Sequence, residues 1–354
     1  MMAEGLRIAI AGATGAVGEE LRRLLDVRGF PVAGDPVYLA SPRSAGRELP
    51  WKDRIVTVQE LTVDAFDGVD VALFSAGASR SREFAPAAVA AGAVVVDNSS
   101  AFRMDPDVPL VVTEVNPQDV ADRPRGIIAN PNCTTMVLVV PVKPLADAFG
   151  LVSMVTTTYQ ATGGAGQTGI TELVSQAAKL VADPERLRLD GAAAEADVET
   201  DNFSKAIAFN VLAHCGDFEA DRYTVEEHKL VNESRKILHL PDLAVSPTCV
   251  RVPVVVGHSI AARLTFTQPV TRTDALAALE GFPGMRIVDG IGLDGEELAY
   301  PTPLASAGVD DVLVGRIRED LGDPNSLNLF VSGDNLLKGA ALNTVQIAEL
   351  VATG

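Results

Sequence analysis

The run Leu6-Arg7-Ile8-Ala9-Ile10-Ala11 is almost continuously apolar, as a strand buried on both faces requires, and it passes directly into Gly12-Ala13-Thr14-Gly15-Ala16-Val17-Gly18. A helical stretch through Leu25 follows. Apolar runs at Val37–Ala40, Val71–Phe74 and 93–96 read as further strands, with a helix around 83–91 before the last of them. Strands alternating with helices predict a parallel, doubly wound α/β sheet of Rossmann type. The pattern changes after Cys133. Residues 134–149 read as a helix, and 152–160 and 248–256 alternate apolar with polar positions, which predicts an antiparallel sheet with one covered face. Between them, Thr224-Val225-Glu226-Glu227 has the spacing of a capping box opening a helix that runs to Leu238, which leaves Glu226 free. The last amphipathic segment, from Gly333-Asp334-Asn335 to Leu350, predicts a helix capped at Asp334 or Asn335 that returns to the first domain. The expected division is therefore 1–133 with 334–354 as a dinucleotide-binding domain, and 134–333 as a second, mixed α+β domain.

Composition narrows the possibilities. A length of 354 residues with 47% hydrophobic content and no low-complexity tract fits about two globular domains. The net charge of -18 argues against nucleic acid as a partner. Cys133, Cys215 and Cys249 are widely spaced and form no CxxC pair, so neither a disulfide framework nor a cysteine-rich metal site is expected. No basic stretch precedes a long apolar run, and the expectation is a cytoplasmic protein with no membrane partner.

Two features carry chemistry. A glycine-rich turn between a first strand and a helix is where backbone N–H groups cradle a pyrophosphate, although the spacing here is GxxGxxG rather than GxGxxG. After the second strand the chain reads Ser41-Pro42-Arg43-Ser44, with no carboxylate for a ribose 2′-hydroxyl and an arginine able to pair with a 2′-phosphate, so NADP is expected rather than NAD. The second feature is Asn130-Pro131-Asn132-Cys133-Thr134-Thr135, which places a cysteine where unpaired N–H groups at a helix start favour a thiolate. A cysteine nucleophile needs a base near neutral pH, which draws attention to His258. Arg251 and His258 reach one site only if the chain turns near Gly257. By spacing alone, Glu226 and Lys229 make a surface ion pair, and Arg103 is a loop arginine beside a crevice, suited to an anion.

With Asn98-Ser99-Ser100-Ala101-Phe102-Arg103, Tyr159-Gln160-Ala161, Arg251-Val252-Pro253, Gly257-His258 and Gly333-Asp334-Asn335, these motifs resemble the aspartate-semialdehyde dehydrogenase family from end to end. The resemblance implies Cys133 as nucleophile, His258 as acid–base residue and Gln160 as an orienting group. It implies that Glu226 and Arg251 hold the substrate amine and carboxylate, and that Arg103 and Lys229 bind phosphate, with Asn132 and Asn98 beside the substrate. Cofactor contacts are expected from Gly12, Thr14, Gly15, Ala16 and Val17, from Ser41, Arg43 and Ser44, from Ser75, Ala76 and Gly77, and from Gly163 and Asn335, with no metal. Ala129, Thr113 and Pro42 depart from the family pattern, and Pro42 leaves the 2′-phosphate contacts open.

The implied reaction is NADPH-dependent reduction of L-4-aspartyl phosphate to L-aspartate 4-semialdehyde plus phosphate, through a Cys133 thioester, by a homodimer. His258 would protonate the collapsing thiohemiacetal as the aldehyde leaves. The reaction belongs to the biosynthesis of lysine through diaminopimelate, and of threonine and methionine. The rivals are N-acetyl-gamma-glutamyl-phosphate reductase, from which Glu226 distinguishes it, a non-catalytic NADP(H)-sensing protein, and a thiol hydrolase.

Overall fold

A computed structural model describes residues 5–293 and 295–353, which divide into two compact units. The first comprises residues up to Met136 together with Lys236–Leu240 and the segment from Leu336; the second comprises Val137–Arg235 and Pro241–Asn335. Among the described residues, no helix is long and apolar enough to cross a membrane.

The first unit is built on a six-stranded sheet ordered Gln59–Glu60, Val37–Ala40, Ile8–Ala11, Val71–Phe74, Val94–Asp97, Ile127–Ala129. Every neighbouring pair is parallel. Numbered along the chain this is the order 3-2-1-4-5-6, which reverses direction between Ile8–Ala11 and Val71–Phe74 and so opens a ligand crevice beyond the ends of those two strands. Ile8, Ile10, Val71, Leu73, Val96 and Ile128 are buried with Leu21 and Leu25 of helix Ala16–Val27 and with Leu342, Val345 and Ile347 of the last helix. Helix Ala78–Ala90 begins five residues before the expected 83–91, because Gly77 at φ +88 turns the chain straight from the crevice into the helix.

The last helix does return to this unit, but it starts late. A wide turn over Leu337–Ala341 leads into Leu342–Thr353. Just before it, Asp334 Oδ2 accepts the Gly308 N–H at 2.8 Å, and Asn335 Oδ1 accepts the Gly257 N–H at 2.9 Å.

The second unit carries a six-stranded sheet ordered Ala244–Arg251, Leu151–Gln160, His258–Phe266, Ser326–Gly333, Val312–Glu319, Met285–Ile287. It is mixed, not antiparallel as the alternation predicted, since Ala244–Arg251 runs parallel to Leu151–Gln160, and Met285–Ile287 parallel to Val312–Glu319. Alternation reports one covered face and is blind to strand direction. Met154, Thr156, Thr158 and Gln160 are buried while Val152, Val155 and Tyr159 are exposed, so the covered face was read correctly. The strand expected over 248–256 stops at Arg251. Pro253 has no N–H to donate, and the carbonyls of Val254 and Val255 instead accept the N–H groups of Thr162 and Gly163.

Candidate active site

In the first unit the glycine turn closes on itself through the Gly15 N–H, which donates to Gly12 O at 3.1 Å. The glycines serve different ends. A Cβ on Gly12 would lie 2.4 Å from Ser75 O, and one on Gly18 would lie 2.2 Å from Gly12 O, so both are demanded by the protein's own packing. Gly15 is exposed, and a Cβ there would meet only Gly12 O at an ordinary 3.5 Å. Nothing in the fold requires a glycine at that position. A close-approaching ligand would, and Gly15 caps helix Ala16–Val27, the kind of helix start whose N–H groups suit an anion. Thr14, Ala16 and Val17 are half-buried around it, and Ser75, Ala76 and Gly77 continue from the neighbouring strand. Ser41 and Ser44 are joined by a backbone turn bond of 2.8 Å, with Arg43 exposed between them. Among the described residues Arg43 has no carboxylate partner.

A polar network holds the loops that leave the same end of this sheet from its last two strands. Asp97 is buried at its strand end, accepting from Ser81 Oγ at 2.7 Å and from the Ser99 hydroxyl and N–H at 2.7 and 3.1 Å. Burial raises its pKa, and these three donors oppose the rise. The 98–103 loop thus leaves the sheet in a fixed direction. Arg103, 8% exposed, donates from Nε to Asn130 O at 2.9 Å and from Nη2 to Asn98 O at 3.0 Å. Asn130 Nδ2 reaches Asn98 Oδ1 at 2.6 Å, and its Oδ1 accepts from Asn343 of the last helix at 2.6 Å. Two residues on, Asn132 Oδ1 accepts the N–H groups of Thr134 and Thr135 at 2.9 and 3.3 Å, a side-chain cap at the start of helix Cys133–Phe149. Cys133 is the first residue of that helix and is half-buried. The helix start that the sequence predicted at Cys133 is thus present.

The second unit gathers the other candidates. The Thr224–Glu227 capping box forms, with Glu227 Oε2 accepting the Thr224 N–H at 2.7 Å and the Glu227 N–H reaching Thr224 Oγ1 at 3.3 Å. Glu227 is thereby used up, and Glu226 points elsewhere: to Lys229 Nζ at 3.1 Å and to Gln160 Nε2 at 3.4 Å. The side chains of Glu226 and Lys229 are 12% and 29% exposed, so this is not the surface pair that spacing alone predicted.

Gly257, at φ +100, supplies the turn that lets Arg251 and His258 converge, and a side chain there would strike Pro303. Arg251 Nη1 donates to Ala161 O at 2.7 Å, and its guanidinium lies over the Phe203 ring. The next amide in the same turn, Ala161 N–H, donates to His258 Nδ1 at 3.1 Å. An Nδ1 that accepts carries no proton, so the neutral ring holds its proton on Nε2.

His258 is fully buried, and burial, reinforced by the Arg251 charge and opposed by Glu226, lowers its pKa to about 3. The base near neutral pH that the sequence reading sought is therefore a neutral imidazole here. Gly164 lies across both groups: a Cβ on it would sit 2.9 Å from Arg251 Nη1 and 3.2 Å from His258 Nε2. Buried Asn335 directs Nδ2 past Gly163, and that donor has no partner, as expected of a group reserved for a ligand.

Asp97, Asn343 and Gly164 were not singled out from the sequence. Asp97 was legible only as the polar end of an apolar strand, Gly164 only as part of a glycine-rich turn, and Asn343 gave no signal.

Comparison with known proteins agrees with this arrangement. A protein-family model described as "Semialdehyde dehydrogenase, NAD binding domain" matches residues 7–123, and one described as "Semialdehyde dehydrogenase, dimerisation domain" matches 142–338. An aspartate-semialdehyde dehydrogenase of Streptomyces akiyoshiensis is 49% identical, covering 98% of each chain, and one from Bacillus subtilis is 43% identical, also over 98% of each. A solved structure of aspartate semialdehyde dehydrogenase II from Vibrio cholerae, complexed with ASA, superposes with a TM-score of 0.90 at 43% identity and 99% coverage of both chains. One from Candida albicans with NADP gives 0.74 at 26% identity over 98% of both.

Proposed function

The chain belongs to the aspartate-semialdehyde dehydrogenase family, and on that premise we propose that it reduces L-4-aspartyl phosphate to L-aspartate 4-semialdehyde and phosphate, with NADPH as reductant, through a thioester on Cys133. The observation that carries the reading is Cys133 at the first position of a helix whose start is capped by Asn132. The reaction lies in the biosynthesis of the aspartate-family amino acids, and the dimerisation domain supports a homodimer.

The thiolate of Cys133 attacks the acyl carbon, and the C–O bond to phosphate breaks as the tetrahedral oxyanion collapses to the thioester. Arg103, its guanidinium oriented by the carbonyls of Asn98 and Asn130, takes up the charge on the departing phosphate together with Lys229. His258 offers Nε2–H to the developing oxyanion. A neutral donor of depressed pKa suits that role, since it stabilises the oxygen without giving up its proton. Once a hydride has been added to the thioester carbon, collapse of the resulting oxyanion would expel the Cys133 thiolate, so aldehyde release needs no proton on sulfur. Arg251 fits a bidentate grip on the substrate carboxylate, and Glu226 fits the free amine. Gln160, hydrogen-bonded to Glu226, orients that carboxylate.

A nicotinamide dinucleotide, when bound, supplies the hydride. In the first unit Gly15 and the loop Ser41–Ser44 fit one, and Arg43, without a carboxylate partner among the described residues, favours the 2′-phosphate of NADP.

The test runs the reaction in reverse and follows NADPH formation from L-aspartate semialdehyde, NADP and phosphate, beside Cys133→Ser and N-acetylglutamate semialdehyde. Phosphate-dependent turnover of the unacetylated aldehyde, lost in the variant, is expected. Turnover of the acetylated aldehyde alone would assign the arginine-pathway reductase instead, and none on either despite NADPH binding would assign a sensor.

A further inference from the structure

Lys236 stands on the last turn of helix Val225–Leu238, where a basic side chain ordinarily folds back on the free carbonyls of its own helix. Its Nζ does something else. It donates at 2.8 Å to each of three backbone carbonyls, those of Arg103, Asp105 and Val108. All three belong to one short loop, more than a hundred residues away in sequence, within the first compact unit to which Lys236–Leu240 also belongs. The loop is wound for the purpose. Asp105 N–H returns to Phe102 O at 3.1 Å, and Val108 N–H to Asp105 O at 3.3 Å, so the carbonyls turn inward and converge on the ammonium.

Three carbonyl dipoles aimed at one point repel each other unless a cation occupies it, and an ammonium has one N–H for each. Arg103 is thus held at both ends. Its carbonyl is fixed by Lys236, and its guanidinium is fixed by Asn130 O and Asn98 O. Without the ammonium, the loop keeps its two turn bonds and the Arg125–Asp105 ion pair, but the three carbonyls lose the donor that fixes their common direction.

We propose that Lys236 is the positioning residue for Arg103: its ammonium templates the 103–108 loop and so sets where the phosphate-binding guanidinium stands. The inference rests on the reading of Arg103 as a phosphate ligand, so the experiment separates the two. Michaelis constants for phosphate, NADP and L-aspartate semialdehyde are measured in the reverse reaction for the wild type, Lys236→Met, Lys236→Gln, Arg103→Leu and the Lys236→Met/Arg103→Leu double variant, with a thermal melt of each. Lys236→Met keeps the stem and removes every donor. Lys236→Gln keeps two N–H bonds in one plane and carries the same comparison if the methionine variant does not fold.

The expected result is a phosphate KM raised about 10- to 100-fold by methionine, less by glutamine, with the other two constants within about twofold, because misplacing a binding group by an ångström costs on that order. In the Arg103→Leu background the Lys236 change should add little, since nothing is left to position. Equal effects with and without Arg103, or a lowered melting temperature with all three Michaelis constants unmoved, would reduce Lys236 to a structural support and overturn the proposal. A phosphate KM unchanged by Arg103→Leu itself would overturn the reading of Arg103, and the proposal with it.

Discussion

Gly164→Ala tests the convergence of Arg251 and His258 with a single methyl group. The backbone at Gly164 is not among the left-handed glycines, so alanine is conformationally admissible there and, by restricting the unfolded chain, would by itself add about 0.4–1 kcal/mol of stability, offsetting part of any side-chain loss. The conflict is with the side chains. The new carbon would stand 2.9 Å from Arg251 Nη1 and 3.1 Å from the His258 ring, both tighter than ordinary contact. His258 is enclosed and tied by the Ala161 N–H, so the arginine is the group able to give way. Moving it breaks the 2.7 Å bond from Nη1 to Ala161 O and tilts the guanidinium away from a carboxylate-gripping pose. A charge-assisted hydrogen bond contributes about 1.5–3 kcal/mol, which corresponds to a loss in kcat/KM of about 10- to 150-fold. The assay is steady-state turnover of aspartate semialdehyde with NADP and phosphate, beside a thermal melt. A melting temperature at or above the wild type with kcat/KM within about twofold of it would refute the reasoning, because Arg251 would then be shown free to move without consequence.

Three further outcomes follow from the same geometry. His258 has a folded pKa of about 3, below its unfolded value of about 6.5; as pH falls between the two, the unfolded chain binds a proton the native chain refuses, and stability is lost at about 1.4 kcal/mol per pH unit. His258→Gln should flatten that slope in urea melts from pH 6.5 to 4, and parallel slopes in variant and wild type would refute the burial argument. Lys338, buried and bonded to Glu114, Asn343 and Gln346, should cost about 3–5 kcal/mol when replaced by methionine, with much of that recovered in Lys338→Met/Glu114→Gln; a loss under about 1 kcal/mol by equilibrium unfolding would count against it. Arg43→Ala should raise the Michaelis constant for NADPH and leave that for NADH alone, and an unchanged NADPH constant would remove the 2′-phosphate contact.

What the chain's pattern disclosed was local. The apolar run into Gly12, the Asn-Pro-Asn-Cys segment at a helix start and the Thr224 capping box are each short-range arrangements, and each folds as its residues dictate. Strand direction was not legible, because side-chain alternation is the same whether the neighbour of Leu151–Gln160 runs parallel or antiparallel. The same limit hid the bonds from the Gly308 and Gly257 N–H groups to Asp334 and Asn335. Spacing put Glu226 and Lys229 on one face but carried no information about what covers that face, and it was the family resemblance that drew attention to them. Lys236 and Asn343 were silent for a related reason. Their bonds reach loops more than a hundred residues away, and nothing in a local window marks either residue as different from any other lysine or asparagine on a helix.

The bond from Asn343 to Asn130 also sets a clock. Asn130 stands three residues before Cys133 and holds Arg103 through its carbonyl, yet the side chain that steadies it is translated 213 residues later. At about 5–20 residues per second, the ribosome takes roughly 10 to 40 s to cover that interval. Throughout it the nascent chain carries its cysteine on a segment whose support has not yet been made. The support that joins Arg103, Asn130 and the last helix is thus completed only after the ribosome has passed Asn343.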